Sequence, residues 1–361
     1  MKTLVTGATG FLGRRLVAEL APRHSLRVLV RPQPGATGGS GAGEGAGSGA
    51  AGGRGGFPAG VEVVAGDVAD AAGVRQAMAG CEAVVHAAAL VKILAPAAEF
   101  DRVNVGGLEN VLAAARAETG GAKVIYVSSF MALGPSEGGP GGVLDESAAP
   151  AGLGEGGAGG GGRTWINSYE RTKAMADRLA RRAIAEGQDI VVVYPGVIYG
   201  PGEMTEGNLV VRHVLDLLHR RLPALLGTPG RRWCHVFVDD VARGIGLALE
   251  RASPGARYVL GGENTALGDF YRLVEELSGV PVPRRRLPDG LATTIGAVQK
   301  AWARLRGTTP ALTPDLVEVY RHDWAYSSAR AAAELGYTFR PLREGLAATL
   351  AWLQETGQWR R

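Results

Sequence analysis

Tyr169 and Lys173 stand four residues apart in the run Ser168-Tyr169-Glu170-Arg171-Thr172-Lys173. If 169–182 is helical, that spacing puts the phenol and the ammonium on one face. A neighbouring ammonium favours the phenolate and draws a phenol pKa down from about 10 toward neutrality. Such a group can take a proton from an alcohol or give one to a developing alkoxide. Far upstream, Gly7, Gly10 and Gly13 punctuate Thr6-Gly7-Ala8-Thr9-Gly10-Phe11-Leu12-Gly13. They fall between an apolar run, 2–6, and a stretch, 11–20, that carries Leu12, Leu16 and Leu20 on one helical face.

At a strand-to-helix turn each of these glycines has a physical task. The first permits the tight turn, the second lets the backbone approach a pyrophosphate, and the third lets helix and strand pack closely. Thr9, Phe11 and Leu12 belong to the same loop, and the helix N-terminus presents unpaired N–H groups to the anion. A dinucleotide cradle joined to a titratable phenol points to hydride transfer. The phenolate takes the alcohol proton as hydride leaves the carbinol carbon for a nicotinamide, and the reverse holds in reduction. Taken alone, each motif has a plainer reading: a glycine-rich turn with no ligand, and a surface lysine on a helix.

Other residues extend the two motifs. Ser128 and Ser129 end the strand that begins at Lys123, and Ser129 is assigned the hydrogen bond to the substrate oxygen beside Tyr169. Lys173 is expected to stabilise the phenolate and bridge the nicotinamide ribose. Asn104 lies mid-helix, where asparagine is a poor helix former. It joins the catalytic set, holding either the chain that carries Ala87, Ala88 and Ala89 or a proton-relay water. Those alanines, with Pro195, Gly196 and Val197 after a later strand, complete the cofactor contacts. The second strand ends in Arg31 where an acidic residue would select NAD, so NADP is favoured over NAD. Asp67, followed by Val68, can accept a hydrogen bond from the adenine amino group; the alternative is that Asp67 caps a helix. The substrate surface is assigned to Val91, Phe130, Met131, Met204, Leu209 and Trp233, with Ile93 beside them and Lys92 and Arg232 as the polar exceptions.

Positioning these groups takes alternating strands and helices. Strands are expected near 2–6, 26–30, 61–64, 83–86, 123–127, 190–194 and 235–238, with helices at 11–20, 70–79, 99–117, 169–182 and 207–221. That rhythm implies an α/β fold: a Rossmann-type doubly wound parallel sheet with a smaller, discontinuous C-terminal substrate lid. The dinucleotide-binding domain spans 1–200, interrupted by glycine-rich inserts at 35–60 and 134–162. The remainder, 201–361, is mostly lid, with 233–250 returning to the Rossmann core. The Gly/Ala/Ser tract at 35–56 buries little side chain and is expected to be a disordered surface insertion.

The chain has 361 residues, 46% hydrophobic and 20% charged, an ordinary globular profile apart from 56 glycines. The formal charge of +4 comes with no basic run interleaved with aromatics, which argues against nucleic acid. Cys81 and Cys234 lie far apart and offer neither a disulfide framework nor a metal site, consistent with a reducing cytoplasm. No apolar stretch reaches bilayer length. A cleaved leader is not expected, since the first strand runs straight into the glycine loop. Arg284-Arg285-Arg286, followed by 287–305 with Lys300, Trp302 and Arg304, reads as a solvated helix packed on the lid, with peripheral membrane contact the alternative.

Together these features resemble the extended short-chain dehydrogenase/reductase family, within the NAD-dependent epimerase/dehydratase group, over nearly the whole chain outside the glycine-rich tracts. Val127-Ser128-Ser129, Tyr169 to Lys173, Tyr194-Pro195-Gly196 and Val238-Asp239-Asp240-Val241 fall in family order. The resemblance implies catalytic roles for Ser129, Tyr169 and Lys173, and makes a homodimer unsurprising. Within the family the likeness is to dihydroflavonol-4-reductase-like proteins of the plant farnesol dehydrogenase type. It is carried by residues 128–134, 194–202 and 322–327. The leading expectation is an NAD(P)-dependent oxidoreductase interconverting an alcohol and a carbonyl on an apolar small molecule, such as a prenyl alcohol or phenylpropanoid. The alternatives are a nucleotide-sugar epimerase or dehydratase and a non-catalytic NAD(P)-binding protein.

Overall fold

The computed structural model describes residues 1–32, 56–92, 94–118, 120–149, 165–205 and 207–360. Along the first half run β1 (Lys2–Thr6), α1 (Phe11–Leu20), β2 (Ser25–Val30), β3 (Glu62–Ala65), α2 (Ala71–Met78) and β4 (Ala83–His86). They are followed by α3 (Ala97–Phe100), a π-helical turn at Asp101–Val105, α4 (Gly106–Ala117), β5 (Lys123–Val127) and α5 (Ser168–Ala185). Next come β6 (Ile190–Pro195), β7 (Val197–Tyr199), α6 (Leu209–Leu218), β8 (Arg232–Phe237), α7 (Val238–Arg251), β9 (Arg257–Leu260) and β10 (Glu263–Ala266). The chain closes with α8 (Leu267–Ser278), α9 (Asp289–Arg306), α10 (Pro314–Tyr320), α11 (Ala329–Leu335) and α12 (Leu342–Glu355).

Seven strands form a parallel sheet in the order β3-β2-β1-β4-β5-β6-β9. The order reverses at β1, which pairs with β2 on one side and β4 on the other, opening the crevice where ligands of such sheets bind. Successive strand residues point to opposite faces. Leu4, Val84, Val124 and Val192 accordingly pack in one core with α2, α4 and α5, while Val5, Val85, Ile125 and Val193 pack in another with α1, α7 and α11. Both faces are covered, which is why these strands read as unbroken apolar runs.

The lid departs from expectation in one place. Residues 233–250 return to the main sheet only through α7, which packs on α1 and β6. The strand β8 belongs instead to a second, three-stranded sheet, β10-β8-β7. Conversely β9, within the stretch assigned to the lid, is the edge strand of the main sheet. The cause lies at Gly196, where the chain leaves β6: a Cβ there would sit 2.6 Å from the Cys234 carbonyl oxygen, so only glycine lets β8 come this close.

The glycine-rich tracts are only partly described, since 33–55 and 150–164 lie outside the described residues. What is described is packed. Phe57, at the end of the first tract, is 3% exposed in the α1 face core. In the second, Ser136 N–H donates to the Asp323 carbonyl at 2.8 Å and Leu144 N–H to that of Ala325 at 3.1 Å. The tract's beginning is thus a seam with the lid and not a solvent insertion.

Candidate active site

The glycine loop has the geometry that its spacing implies. Gly7 adopts φ +75°, and a Cβ on it would lie 2.6 Å from the Ala88 nitrogen. A Cβ on Gly13 would lie 2.0 Å from the Gly7 carbonyl oxygen. Gly10, the α1 N-cap, has its nearest neighbour 3.3 Å from such a Cβ, and no side chain caps the helix. Gly7 and Gly13 are therefore needed by the fold, while Gly10 keeps a surface open over the helix N-terminus. Thr9 is exposed there, Leu12 is half-buried and Phe11 is buried under Gly202. Ala87, Ala88 and Ala89 follow β4, directly across from this loop: Ala87 N–H donates to the Thr6 carbonyl at 3.2 Å, and Ala88 N–H to its Oγ1 at 3.3 Å. A cradle in which side chains would collide, capped by a bare helix N-terminus, fits a dinucleotide pyrophosphate.

Toward the adenine side, Arg31 is exposed at the end of β2 with no bonding partner among the described residues. Asp67 accepts from Ala69 N–H at 2.9 Å and lies 3.8 Å from Arg102. The cap of α2 is Asp70, accepting from Ala72 N–H at 3.1 Å, so the helix-cap alternative for Asp67 is overturned. Val68 is buried, its carbonyl held by Asn110 at 2.9 Å. Pro195 and Val197 flank Gly196 where β6 gives way to β7.

The catalytic candidates meet where β5 ends. Asn167 caps α5 by accepting from Glu170 N–H at 2.8 Å, which fixes the helix start and hence the direction of Tyr169. Ser129 is fully extended at φ −163°, and its Oγ accepts from Met131 N–H at 3.2 Å. Its hydroxyl is also close enough to the Tyr169 phenol to oppose the effect of burial on it. Lys173, 3% exposed, donates to the Val127 carbonyl at 3.0 Å and lies 5.9 Å from the centre of the Tyr169 ring.

The electrostatics differ from the expected lysine-driven phenolate. Burial pushes the Tyr169 phenol above its ordinary range, and only the Ser129 hydroxyl opposes this. Burial pushes Lys173 down to about 7, against the pull of the Asp177 carboxylate. Desolvation penalises both charged forms, and the ammonium is directed at a backbone carbonyl and not at the phenol oxygen. Burial thus opposes both the phenolate of Tyr169 and the ammonium of Lys173.

Asn104 sits in the π turn at Asp101–Val105, where the helix 97–117 is locally widened. Its Oδ1 accepts from Leu90 N–H at 2.7 Å, and its Nδ2 donates to the Leu90 carbonyl at 3.2 Å and to Thr172 Oγ1 at 3.0 Å. Of its two expected roles it performs the first, tying the strand-β4 loop to α5.

Several neighbours were not singled out from sequence. Asp177, fully buried, accepts from Tyr194 Oη at 2.5 Å and from Arg181 Nε at 2.6 Å. The signal was available: 169, 173, 177 and 181 continue the same four-residue step along α5. His86 hydrogen-bonds Thr6 Oγ1 through Nδ1 at 2.8 Å, and burial holds it neutral with a pKa near 3. Trp324 meets Phe130 edge to face and Tyr326 meets it at a tilt, with ring centres 5.3 and 5.8 Å away.

Of the substrate residues, Phe130, Met131 and Trp233 join one apolar cluster, since Trp233 pairs in register with Trp324. Met204 packs at its margin and Val91 is half-buried, whereas Leu209 is 41% exposed and turned away from that core. Ile93 lies outside the described residues. A cavity of about 660 Å³ opens elsewhere in the lid, among Glu137, Arg231, Asp289, Tyr320 and His322, and none of the predicted residues lines it.

A model of the NAD dependent epimerase/dehydratase family matches residues 3–261. The chain belongs to this family. As a family member it is an oxidoreductase-type protein built for an NAD(P) dinucleotide. It is 30% identical over 361 residues to sterol demethylase protein B of Methylococcus capsulatus, covering 99% of each chain. A protein of Synechocystis sp. provisionally described as a dihydroflavonol 4-reductase is 30% identical, covering 98% of this chain and 94% of that one. The crystal structure of gox2253 superposes with a TM-score of 0.76 at 31% identity over 99% of both chains. None of the described helices is long and apolar enough to cross a membrane.

Proposed function

We propose that this family member interconverts a carbonyl and an alcohol on an apolar small molecule, with NADP preferred over NAD. The observation that carries the reading is the convergence of Ser129, Tyr169 and Lys173 at the end of β5, with buried Lys173 donating to the Val127 carbonyl at 3.0 Å and lying 5.9 Å from the centre of the Tyr169 ring. Gly7, Gly10, Gly13 and the alanines after β4 would hold the dinucleotide, with Arg31 free to meet a 2′-phosphate. A nicotinamide bound there supplies or accepts the hydride. Ser129 would orient the substrate oxygen, and Tyr169 would donate its proton as negative charge develops on that oxygen. Lys173 then limits the phenolate's cost, the proton being replaced from water. Half-buried Phe130, backed by the buried Met131, Trp324 and Tyr326, gives the neighbourhood of Ser129 an apolar character, and the turn Phe130–Ala132 offers no carboxyl pair for eliminating water. Similarity to sterol demethylase protein B and to a dihydroflavonol 4-reductase is in keeping with a ring-bearing small-molecule substrate. Work in the cytoplasm, as a homodimer, belongs to the same proposal.

The test is incubation of the purified protein with NADPH or NADH and a panel of ketones and aldehydes, and with NADP⁺ or NAD⁺ and the corresponding prenyl, phenylpropanoid and sterol-like alcohols. Change in nicotinamide absorbance, greater with the phosphorylated cofactor, is the expected result. Conversion of a nucleotide sugar without net cofactor change would replace the reading with epimerase or dehydratase chemistry. Silence toward every substrate, with nucleotide bound, would leave a binding protein only.

A further inference from the structure

The helix α9 carries an apolar stripe that no other described element covers. Leu291, Val298, Trp302 and Leu305 are 52%, 65%, 55% and 83% exposed. At 100° per residue the four fall within one narrow stripe along the helix. Its other side packs on α10: Ala292 and Ala303 are buried there, and a Cβ on Gly296 would lie 2.8 Å from the Thr313 backbone. That packing belongs to a small satellite cluster with Leu312 and Val317, separate from both main cores. The stripe is therefore unpartnered among the described residues. Scattered exposed hydrophobes are ordinary, but four in a line on one helix are not.

Charge identifies the occupant. Between 284 and 306 the ionisable residues are Arg284, Arg285, Arg286, Lys300, Arg304 and Arg306, against Asp289 alone. Asp289 is paired with Arg321 at 3.0 Å. Arg284 and Lys300 have carboxylate partners and Arg286 is turned to the Leu226 and Gly227 carbonyls. Arg285, Arg304 and Arg306 are exposed and have no carboxylate partner among the described residues. The guanidinium of Arg306 lies 4.3 Å from the centre of the Trp302 ring, which joins a cation to an aromatic at the stripe's end. An apolar ridge with Arg306 beside it, Arg285 before its first turn and Arg304 in its last, and with an exposed tryptophan, has the composition of a helix lying in the headgroup region of an anionic bilayer. A second protein chain would have to bring acidic groups to match; an anionic lipid surface presents them everywhere.

We propose that α9 docks the protein on an anionic membrane surface, with Leu291, Val298, Trp302 and Leu305 entering the interface and Arg285, Arg304 and Arg306 meeting lipid phosphates. The proposal is independent of the reductase reading, and its test contains no substrate. The full chain is sedimented with vesicles of phosphatidylcholine alone or mixed with phosphatidylglycerol, at low and high salt. Expected results are pelleting with the anionic vesicles only and release by salt. Tryptophan quenching by brominated lipid should be lost in Trp302→Phe. Val298→Asp with Leu305→Asp should weaken binding at least tenfold at an unchanged melting temperature, and Arg304→Glu with Arg306→Glu should do the same. The proposal fails if the native chain stays in the supernatant with anionic vesicles or if the Asp variant pellets as well as the native chain. It fails too if sedimentation velocity shows a dimer that the Asp variant breaks, since the stripe would then be a self-association face.

Discussion

Two helices of eighteen residues, α5 and α9, invert the usual division of labour between core and surface. On α5 the step 169, 173, 177, 181 carries a phenol, an ammonium, a carboxylate and a guanidinium, and Lys173 and Asp177 are buried. On α9 it is hydrophobic side chains that stand in solvent. Burying charge requires partners for each group: Lys173 has the Val127 carbonyl, Asp177 has Tyr194 and Arg181, and Arg181 reaches the Ala148 carbonyl at 2.9 Å. Exposing hydrophobes needs no partner in the fold, only an external surface or tolerance of water. One helix therefore ties function to stability and the other separates them.

The comparison can be broken most decisively at Tyr169. Tyr169→Phe should lower turnover by roughly 10²–10⁴-fold, the usual worth of a general acid, while nucleotide binding measured by calorimetry is unchanged. Loss of binding as well would mean that the phenol is structural. Next in size is Asp177→Asn. It leaves the partly buried Arg181 without its anion and should destabilise the fold by about 3–5 kcal/mol in denaturant melts. It should also move the Lys173 titration further down, because the carboxylate is what holds it up.

The glycine loop separates fold from ligand in the same way. Gly13→Ala drives a Cβ into the Gly7 carbonyl and should lower the melting temperature. Gly10→Val, where a Cβ would press on the Gly7 carbonyl oxygen at 3.3 Å and not overlap it as at Gly13, should abolish NADP binding with a smaller thermal shift.

Stability should also rise with pH. His86, His213 and His235 are buried neutral, with pKa values pushed down to about 3, 4 and 4. The unfolded chain binds protons on all three below about 6.5, so their contribution is present above that pH and is lost as pH falls toward 4. Lys173 acts in the same sense at higher pH: the cost of burying its charge is present below about 7 and is relieved as pH climbs toward 10.5. A melt at pH 5 should fall at least about 5 °C below one at pH 8. The smallest effect is expected on α9, where Val298→Asp should change stability by no more than about 0.5 kcal/mol.

Much of the fold and the site could be read along the chain because the information is local. Glycines at 7, 10 and 13 between an apolar run and an amphipathic one leave few backbone solutions, and the cradle follows. The four-residue step from Tyr169 to Lys173 likewise needs only a helix. What escaped involved contacts between distant segments. Trp324 and Tyr326 reach Phe130 from the far end of the chain, and His86 meets Thr6 only because β1 and β4 are neighbours. The placement of β8 in a second sheet depended on how closely Cys234 approaches Gly196, which neither segment announces.

The amino-acid order alone settled the strand–helix alternation, the phosphate loop and the shared face of Tyr169 and Lys173, since each arises from periodicity and from backbone freedom at single residues. The protonation states awaited the tertiary structure. A phenol and an ammonium four residues apart suggest a phenolate in water, yet removal of that water reverses the preference and leaves both groups inclined to neutrality. Solvation is a property of the surrounding fold, and no spacing of residues encodes it.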